Sequence, residues 1–268
     1  MADHADNDND GEIFIYRGGR APIYVSHVRI DKSVDVIEDE AFRDCQILVH
    51  VETHDGIRKV GTWAFRNCKF LRRINLKSAV EIDKSAFSEC ENLESVEFGD
   101  KLETIGRYAF AQCTSLKRLN LSTIVTINSL AFFSCTRLTD IEFSERLETI
   151  EACAFQECKR LQRISIPLKR YLFIGDEYEQ YGQFDECEQL RKVDLVGGIH
   201  KTVASLHMES WRNEMEEEIN RMNQVLPDTQ TRNKTATIRQ WMDSVLDKMD
   251  HYKAEHYRFV KEGITLLE

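Results

Sequence analysis

Seven phenylalanines set the frame of this chain. Phe42, Phe65, Phe87, Phe110, Phe132 and Phe155 recur along the sequence at steps of 23, 22, 23, 22 and 23, and Phe184 comes 29 later. Alanine precedes the first six, at Ala41, Ala64, Ala86, Ala109, Ala131 and Ala154. Cysteine follows all seven at the third place after the ring, at Cys45, Cys68, Cys90, Cys113, Cys135, Cys158 and Cys187. At the fifth place before the ring stand Ile37, Val60, Ile82, Ile105, Ile127 and Ile150. Self-similarity at such a period marks a stacked-repeat architecture.

From Cys68 onward each cysteine of the column introduces an apolar-x-x-apolar-x-apolar run. It reads Leu71, Ile74, Leu76, then Leu93, Val96, Phe98, and recurs from Leu116, Leu138 and Leu161. Alternation at its end predicts a strand with one buried face. A unit of this length has room for one strand and a tight return segment. It cannot bury its apolar side alone, so the units must stack.

These columns resemble the leucine-rich repeats of the BspA-like class, whose unit reads roughly Ile-x-x-x-x-Phe-x-x-Cys-x-x-Leu-x-x-Val-x-Leu. The resemblance covers about Val25 to Leu195. It implies a parallel-stranded solenoid with a binding or scaffolding role and carries over no catalytic residue. The chain departs from the pattern at Phe184, where Gln183 replaces the alanine and the unit is longer. The tail around Trp211 and Trp241 also looks like that of leucine-rich-repeat proteins predicted from diatom genomes. The expected fold is thus α/β: a leucine-rich-repeat solenoid with a parallel strand stack, followed by a C-terminal α-helical hairpin.

Residues 1–12 carry Asp3, Asp6, Asp8, Asp10 and Glu12 with no lysine or arginine, and are expected to form a disordered acidic tail. An N-terminal cap follows at 13–36, with a strand at Ile13–Tyr16, a turn at Arg17-Gly18-Gly19-Arg20 and a first repeat strand holding Val25, Val28 and Ile30. The solenoid occupies 37–196. Gly197-Gly198 opens a connection over 197–204, with Ile199, Val203 and Leu206 as a partial closing turn.

Residues 205–268 predict a helical hairpin. Met208, Trp211, Met215, Ile219, Met222 and Leu226 make one helical stripe, ended by Pro227. Ile238, Trp241, Val245, Met249, Tyr252 and Phe259 make another, beyond a polar connection from Asp228 to Thr235. Such a hairpin can cap the solenoid or serve as a coiled-coil-like dimerisation or docking arm. Second apolar rows at Met242, Leu246, Val260, Ile264 and Leu267 leave surface for both.

A net charge of −10 argues against a general nucleic-acid binder, which needs a clustered basic surface. No apolar run reaches the length of about 18 residues that a membrane-spanning helix requires, so no span is expected. The start lacks a basic-then-apolar signal, so an intracellular, cytoplasmic location is expected. The eight cysteines are then expected to stay reduced, and a fixed place in each turn fits packing. Zinc ligands usually come as Cys-x-x-Cys, which is absent, and Cys153 and Cys158 belong to different positions of the unit. His251 and His256 are five apart, roughly 140° around a helix, and cannot share a metal. The sequons at Asn120 and Asn233 are idle without export. With no phosphate loop or nucleophile arrangement, neither enzymatic activity nor a cofactor is expected.

Two surfaces remain. Outward positions of successive strands read Arg73 and Asn75, Ser95 and Glu97, Arg118 and Asn120, Asp140 and Glu142, Arg163 and Ser165, Lys192 and Asp194. Strand spacing of about 4.8 Å allows opposite charges to pair across this face. It is either a self-neutralised sheet surface or a partner-binding stripe centred on Arg73, Glu97, Arg118, Asp140, Glu142 and Arg163. The second is the long last unit, whose extra length is assigned to Leu168–Gln183 with Tyr171, Phe173, Tyr178 and Tyr181. Long loops on rigid scaffolds carry function, and tyrosine favours binding surfaces; a spacer covering the solenoid edge is the alternative. The expected function is a protein-interaction module for an unspecified protein partner, with a homodimer through the C-terminal helices. A cell-surface or extracellular-matrix adhesin is the competing expectation.

Overall fold

The computed structural model describes residues 13–175, 182–198, 206 and 208–265, with side chains as far as 259. A main row of parallel strands comprises β1 (Phe14–Tyr16), β2 (His27–Ile30), β4 (His50–Glu52), β6 (Arg73–Leu76), β8 (Ser95–Phe98), β10 (Arg118–Asn120), β12 (Asp140–Glu142), β14 (Arg163–Ile166) and β15 (Lys192–Leu195). Outward and inward residues alternate along each strand, so Ile74 and Leu76 are buried while Arg73 and Asn75 are exposed. The N-terminal segment is continuous with this stack, since β1 pairs in parallel with β2.

The return segment holds a second row that the short unit concealed. Two-residue strands β3 (Val36–Ile37), β5 (Lys59–Val60), β7 (Glu81–Ile82), β9 (Thr104–Ile105), β11 (Thr126–Ile127) and β13 (Thr149–Ile150) form one six-stranded parallel sheet. Its inward residues are the isoleucine and valine column.

Between the rows lies the corner that carries the rings. Residues two before and two after each phenylalanine from Phe42 to Phe155 take left-handed backbone without being glycine, for instance Glu40 (φ 58°) and Asp44 (φ 63°), then Trp63 (57°) and Asn67 (61°). That conformation costs roughly 1–2 kcal/mol per residue. The alternation turns every second amide along the stack. Glu40, Phe42 and Asp44 therefore donate to the carbonyls of Thr62, Ala64 and Arg66 one turn on, at 2.9, 2.7 and 2.9 Å. Phe65, Phe87, Phe110 and Phe132 repeat the contact to Ala86, Ala109, Ala131 and Ala154 at 2.7–2.8 Å.

The repeat rise sets the aromatic spacing. Ring centroids from Phe42 to Phe184 stand 5.0–5.7 Å apart, with planes within 12°. Tyr16, tilted 48° at 4.8 Å from Phe42, ends the column on one side. The cysteines are free and buried. From Cys68 onward each thiol of the column donates to the phenylalanine carbonyl one turn back, Cys90 to Phe65 at 3.0 Å and Cys135 to Phe110 at 3.1 Å. A small apolar side chain with one weak donor suits that place.

The hairpin consists of α1 (Glu209–Val225) and α2 (Lys234–Thr265). A short 3-10 turn, Leu226–Asp228, carries Pro227 between them. Trp211 stacks on Tyr252 at 5.0 Å, and the Trp241 indole donates to the Glu218 carbonyl at 3.1 Å. Met215, Ile219 and Met222 face Ile238, Trp241 and Val245 in the buried core. One member of the expected second stripe departs from it: Phe259 is 48 % exposed, beyond the reach of α1. Ile199 and Val203 lie outside the described residues; Leu206 is buried.

Candidate interaction surface

The main row lines up the outward residues in strict register: Arg73 beside Ser95, Asn75 beside Glu97, and Arg118, Asp140, Arg163 and Lys192 in one file. Pairing across this face is local rather than continuous. Arg163 donates through Nη1 to Glu142 at 2.8 Å and through Nε to Asp194 at 2.5 Å, so those carboxylates raise its pKa further. Lys192 shares Asp194 at 3.3 Å, and Glu97 meets Lys77 at 3.3 Å. Arg118 and Asp140 stand side by side yet form no ion pair among the described residues, and Arg73 has none either. The short, half-buried Asp140 side chain stays close to the sheet while Arg118 extends into solvent. The long guanidinium of Arg163 instead reaches carboxylates two positions further along the strands.

A cleft of about 660 Å³ opens where this face meets α1. Ser165, Val193, Leu195 and Ile219 line its depth; Glu142, Arg163, Lys192 and Asp194 rim one side, Asn220 and Asn223 the other.

The last unit is regular for longer than its sequence suggests. Phe173 bridges Ile150 in parallel, which makes it the next member of the Ile127–Ile150 file, at the same step along the sequence. Elsewhere this column precedes its phenylalanine by five, whereas Phe173 precedes Phe184 by 11. The extra length therefore lies between those two rings rather than across 168–183. Phe173 is buried and meets Phe184 edge-on at 5.8 Å. Arg170 binds Asp247 and Asp250 of α2 at 2.7 and 2.9 Å, and Arg239 donates to the Phe173 carbonyl at 3.2 Å. The unit therefore both covers the solenoid edge and meets the tail. Tyr171 is 87 % exposed beside it, while Tyr178 and Tyr181 lie outside the described residues.

Three polar residues missed at the sequence level close the stack. Thr235 Oγ1 accepts the Phe184 amide at 3.0 Å, where a middle turn would offer the next alanine carbonyl. Lys234, buried, donates to the carbonyls of Cys187, Glu188 and Leu190 at 3.1, 3.4 and 2.5 Å. Burial holds its pKa below the usual lysine value. Asn223 Oδ1 takes the amide of Val193 on the last strand at 2.8 Å. Gly182 is required here, since a Cβ would stand 2.5 Å from Thr235 Oγ1. One signal was readable: a lysine opening a helix opposes the helix dipole and needs another reason to be there.

Among the described residues no group of histidine, cysteine and carboxylate side chains could hold a metal, and no helix is long and apolar enough to cross a membrane.

No curated protein matches the chain. Among solved structures, a leucine-rich repeat protein of T. pallidum is similar at 26 % identity and a TM-score of 0.56, over 69 % of this chain and 85 % of that one. A leucine-rich cell surface protein of Faecalibacterium prausnitzii (20 % identity, TM-score 0.42) and the pneumococcal vaccine antigen PcpA (14 %, 0.40) are more distant. The alignments cover 63 % and 64 % of this chain and 60 % and 57 % of theirs. The profile of the BspA type leucine rich repeat region matches in six copies over residues 22–126, 71–177 and 121–210. With the ring column, the cysteine file and two parallel rows in place over that span, the chain belongs to the BspA-type leucine-rich-repeat family.

Proposed function

We propose that this protein is an interaction scaffold that engages a protein partner through the main strand face. Solenoids of this class typically bind rather than catalyse. The observation that carries the reading is the cleft beneath Arg163, where a fixed triad of Arg163, Glu142 and Asp194 borders a floor of Val193, Leu195, Ile219 and Ser165. Charges already held in place bind with little loss of side-chain freedom. Arg73, Glu97, Arg118 and Asp140 extend the surface along the stack, while Tyr171 lies apart from it, beside the second row. The eight free, buried thiols suit a reducing intracellular compartment.

Cross-linking mass spectrometry on intact protein, with Arg163→Glu and Arg118→Glu set against Lys59→Glu on the second row, tests this. Both face variants should lose the partner, Arg118→Glu at unchanged melting temperature and Arg163→Glu at a somewhat lower one because it leaves Glu142 and Asp194 facing a third carboxylate, while Lys59→Glu keeps it. Loss confined to Lys59→Glu would contradict the reading.

A second reading has its own support. At 1.5 Å per residue, the 32 residues of α2 span about 48 Å and the 17 of α1 about 26 Å. The overhang exposes Tyr257 (71 %) and Phe259, a surface suited to pairing two copies. Sedimentation should show a dimer that Tyr257→Ser with Phe259→Ser dissociates; a monomer at all concentrations would dismiss it.

A further inference from the structure

The corner that leads into the main strands carries a charge opposite to that of the whole chain. It is made of the first, second, fourth and fifth places after each cysteine of the column. From the turn of Cys68 to that of Cys187 these hold eleven lysines and arginines against four carboxylates, Glu91, Glu94, Asp140 and Glu188, in a chain of net charge −10. Lys69 is neutralised by Glu91, and Arg163 and Lys192 by the face carboxylates. The other eight cations form no ion pair among the described residues. They stand in one file along the stack, a basic ridge: Arg72 and Arg73, then, beyond the Cys90 turn with its Glu91 and Glu94, Lys117 and Arg118, then Arg137, then Lys159 and Arg160, then Arg191, all exposed.

The register shows where the chain enters this file. Phe14 pairs with Val28, which places Ile13 beside His27; His27 pairs with His50, and Arg73 and Arg118 hold the same position in later turns. Ile13 therefore stands at the head of the file that carries the ridge, three strands before Arg73. The stretch before it is the acidic one, with Asp3, Asp6, Asp8, Asp10 and Glu12 and no lysine or arginine.

We propose that the ridge is a binding surface for an extended acidic segment, and that its occupant is the chain's own residues 1–12. The reach fits. At about 3.3 Å per extended residue and about 4.8 Å per strand, Asp8 comes level with Arg72 and Arg73, Asp6 with Lys117 and Arg118, and Asp3 with Arg160. A tether this short gives an effective concentration in the millimolar range, so weak surface attractions suffice to hold the segment in place. The inference does not rest on the scaffold reading. A partner on the Arg163 cleft and a covered ridge can each exist without the other.

The test places a nitroxide on Ala2→Cys in the full chain. The native thiols are buried, so the label goes to position 2. Paramagnetic broadening of backbone amides is then compared between the ridge (Arg72, Arg73, Lys117, Arg118) and β5 and β7 of the second row. The ridge amides should broaden several-fold more, and the difference should vanish in about 0.5 M salt, where screening is short-ranged. It should also vanish when Asp3, Asp6, Asp8 and Asp10 become asparagine, a change that leaves the solenoid untouched. Equal broadening in both rows, or broadening that ignores salt, would overturn the proposal. Broadening of an isotope-labelled copy by a separate spin-labelled copy would reassign the occupant to a second molecule and overturn it as well.

Discussion

A middle turn and the last turn of this solenoid solve one problem with different chemistry. Around Phe110 every corner amide has a successor: the Phe110 amide goes to Ala131, the Gln112 amide to Phe133, and the ring is stacked on both sides. Around Phe184 no further turn follows among the described residues; Thr235 takes the Phe184 amide, the edge of Phe173 meets the ring, and Lys234 caps the carbonyls of Cys187, Glu188 and Leu190. Repetition supplies the middle with partners. The end needs particular side chains brought in from the helical tail, and so it is the more specific and the more fragile of the two.

Alkali should produce the largest effect, because it strikes six turns at once. Burial raises the thiols of Cys45 to about 11 and Cys187 to about 12, and lifts Cys68, Cys113, Cys135 and Cys158 as well. A folded-state pKa above the unfolded value of 9.0 means stability that is complete below pH 9 and lost as pH climbs through the folded values. Lys234 acts the other way. Its depressed pKa makes its own contribution rise with pH up to 10.5, but it is one group against six. Thermal melts from pH 8 to 11 should therefore fall steeply above pH 9, and a flat profile would mean the thiols are not buried.

Phe110→Ala removes one ring from the middle and leaves a cavity, costing roughly 3–5 kcal/mol in denaturant unfolding. Lys234→Met keeps the bulk at the end but strips three carbonyls of their donor, and roughly 2–3 kcal/mol is expected. Thr235→Val keeps shape and deprives only the Phe184 amide, for about 1–2 kcal/mol. If both end substitutions left stability unchanged, the hairpin would be an appendage rather than a closure.

The same contrast decides what the sequence could tell. Whatever repeats was legible: the phenylalanine, cysteine and isoleucine columns gave the stack, its register and the outward file from Arg73 to Lys192. The second row escaped because a two-residue strand such as Lys59–Val60 is too short to display alternation. The glycine-free left-handed corners escaped because residues such as Trp63 and Leu130 seldom adopt that backbone. The end was least legible, since Lys234 and Thr235 acquire meaning only from Cys187 and Phe184 across the fold. Of the candidate surface, membership could be read but pairing could not. Arg163 reaches Glu142 and Asp194 diagonally, and Arg118 stands beside Asp140 without pairing with it.

Native-state hydrogen exchange bears most directly on whether the hairpin completes the solenoid. The amides of Phe184 and Val193 should exchange nearly as slowly as that of Phe110, and Thr235→Val should speed Phe184 the most. Fast exchange at Phe184 and Val193 beside a protected Phe110 would show a stack left open at its end.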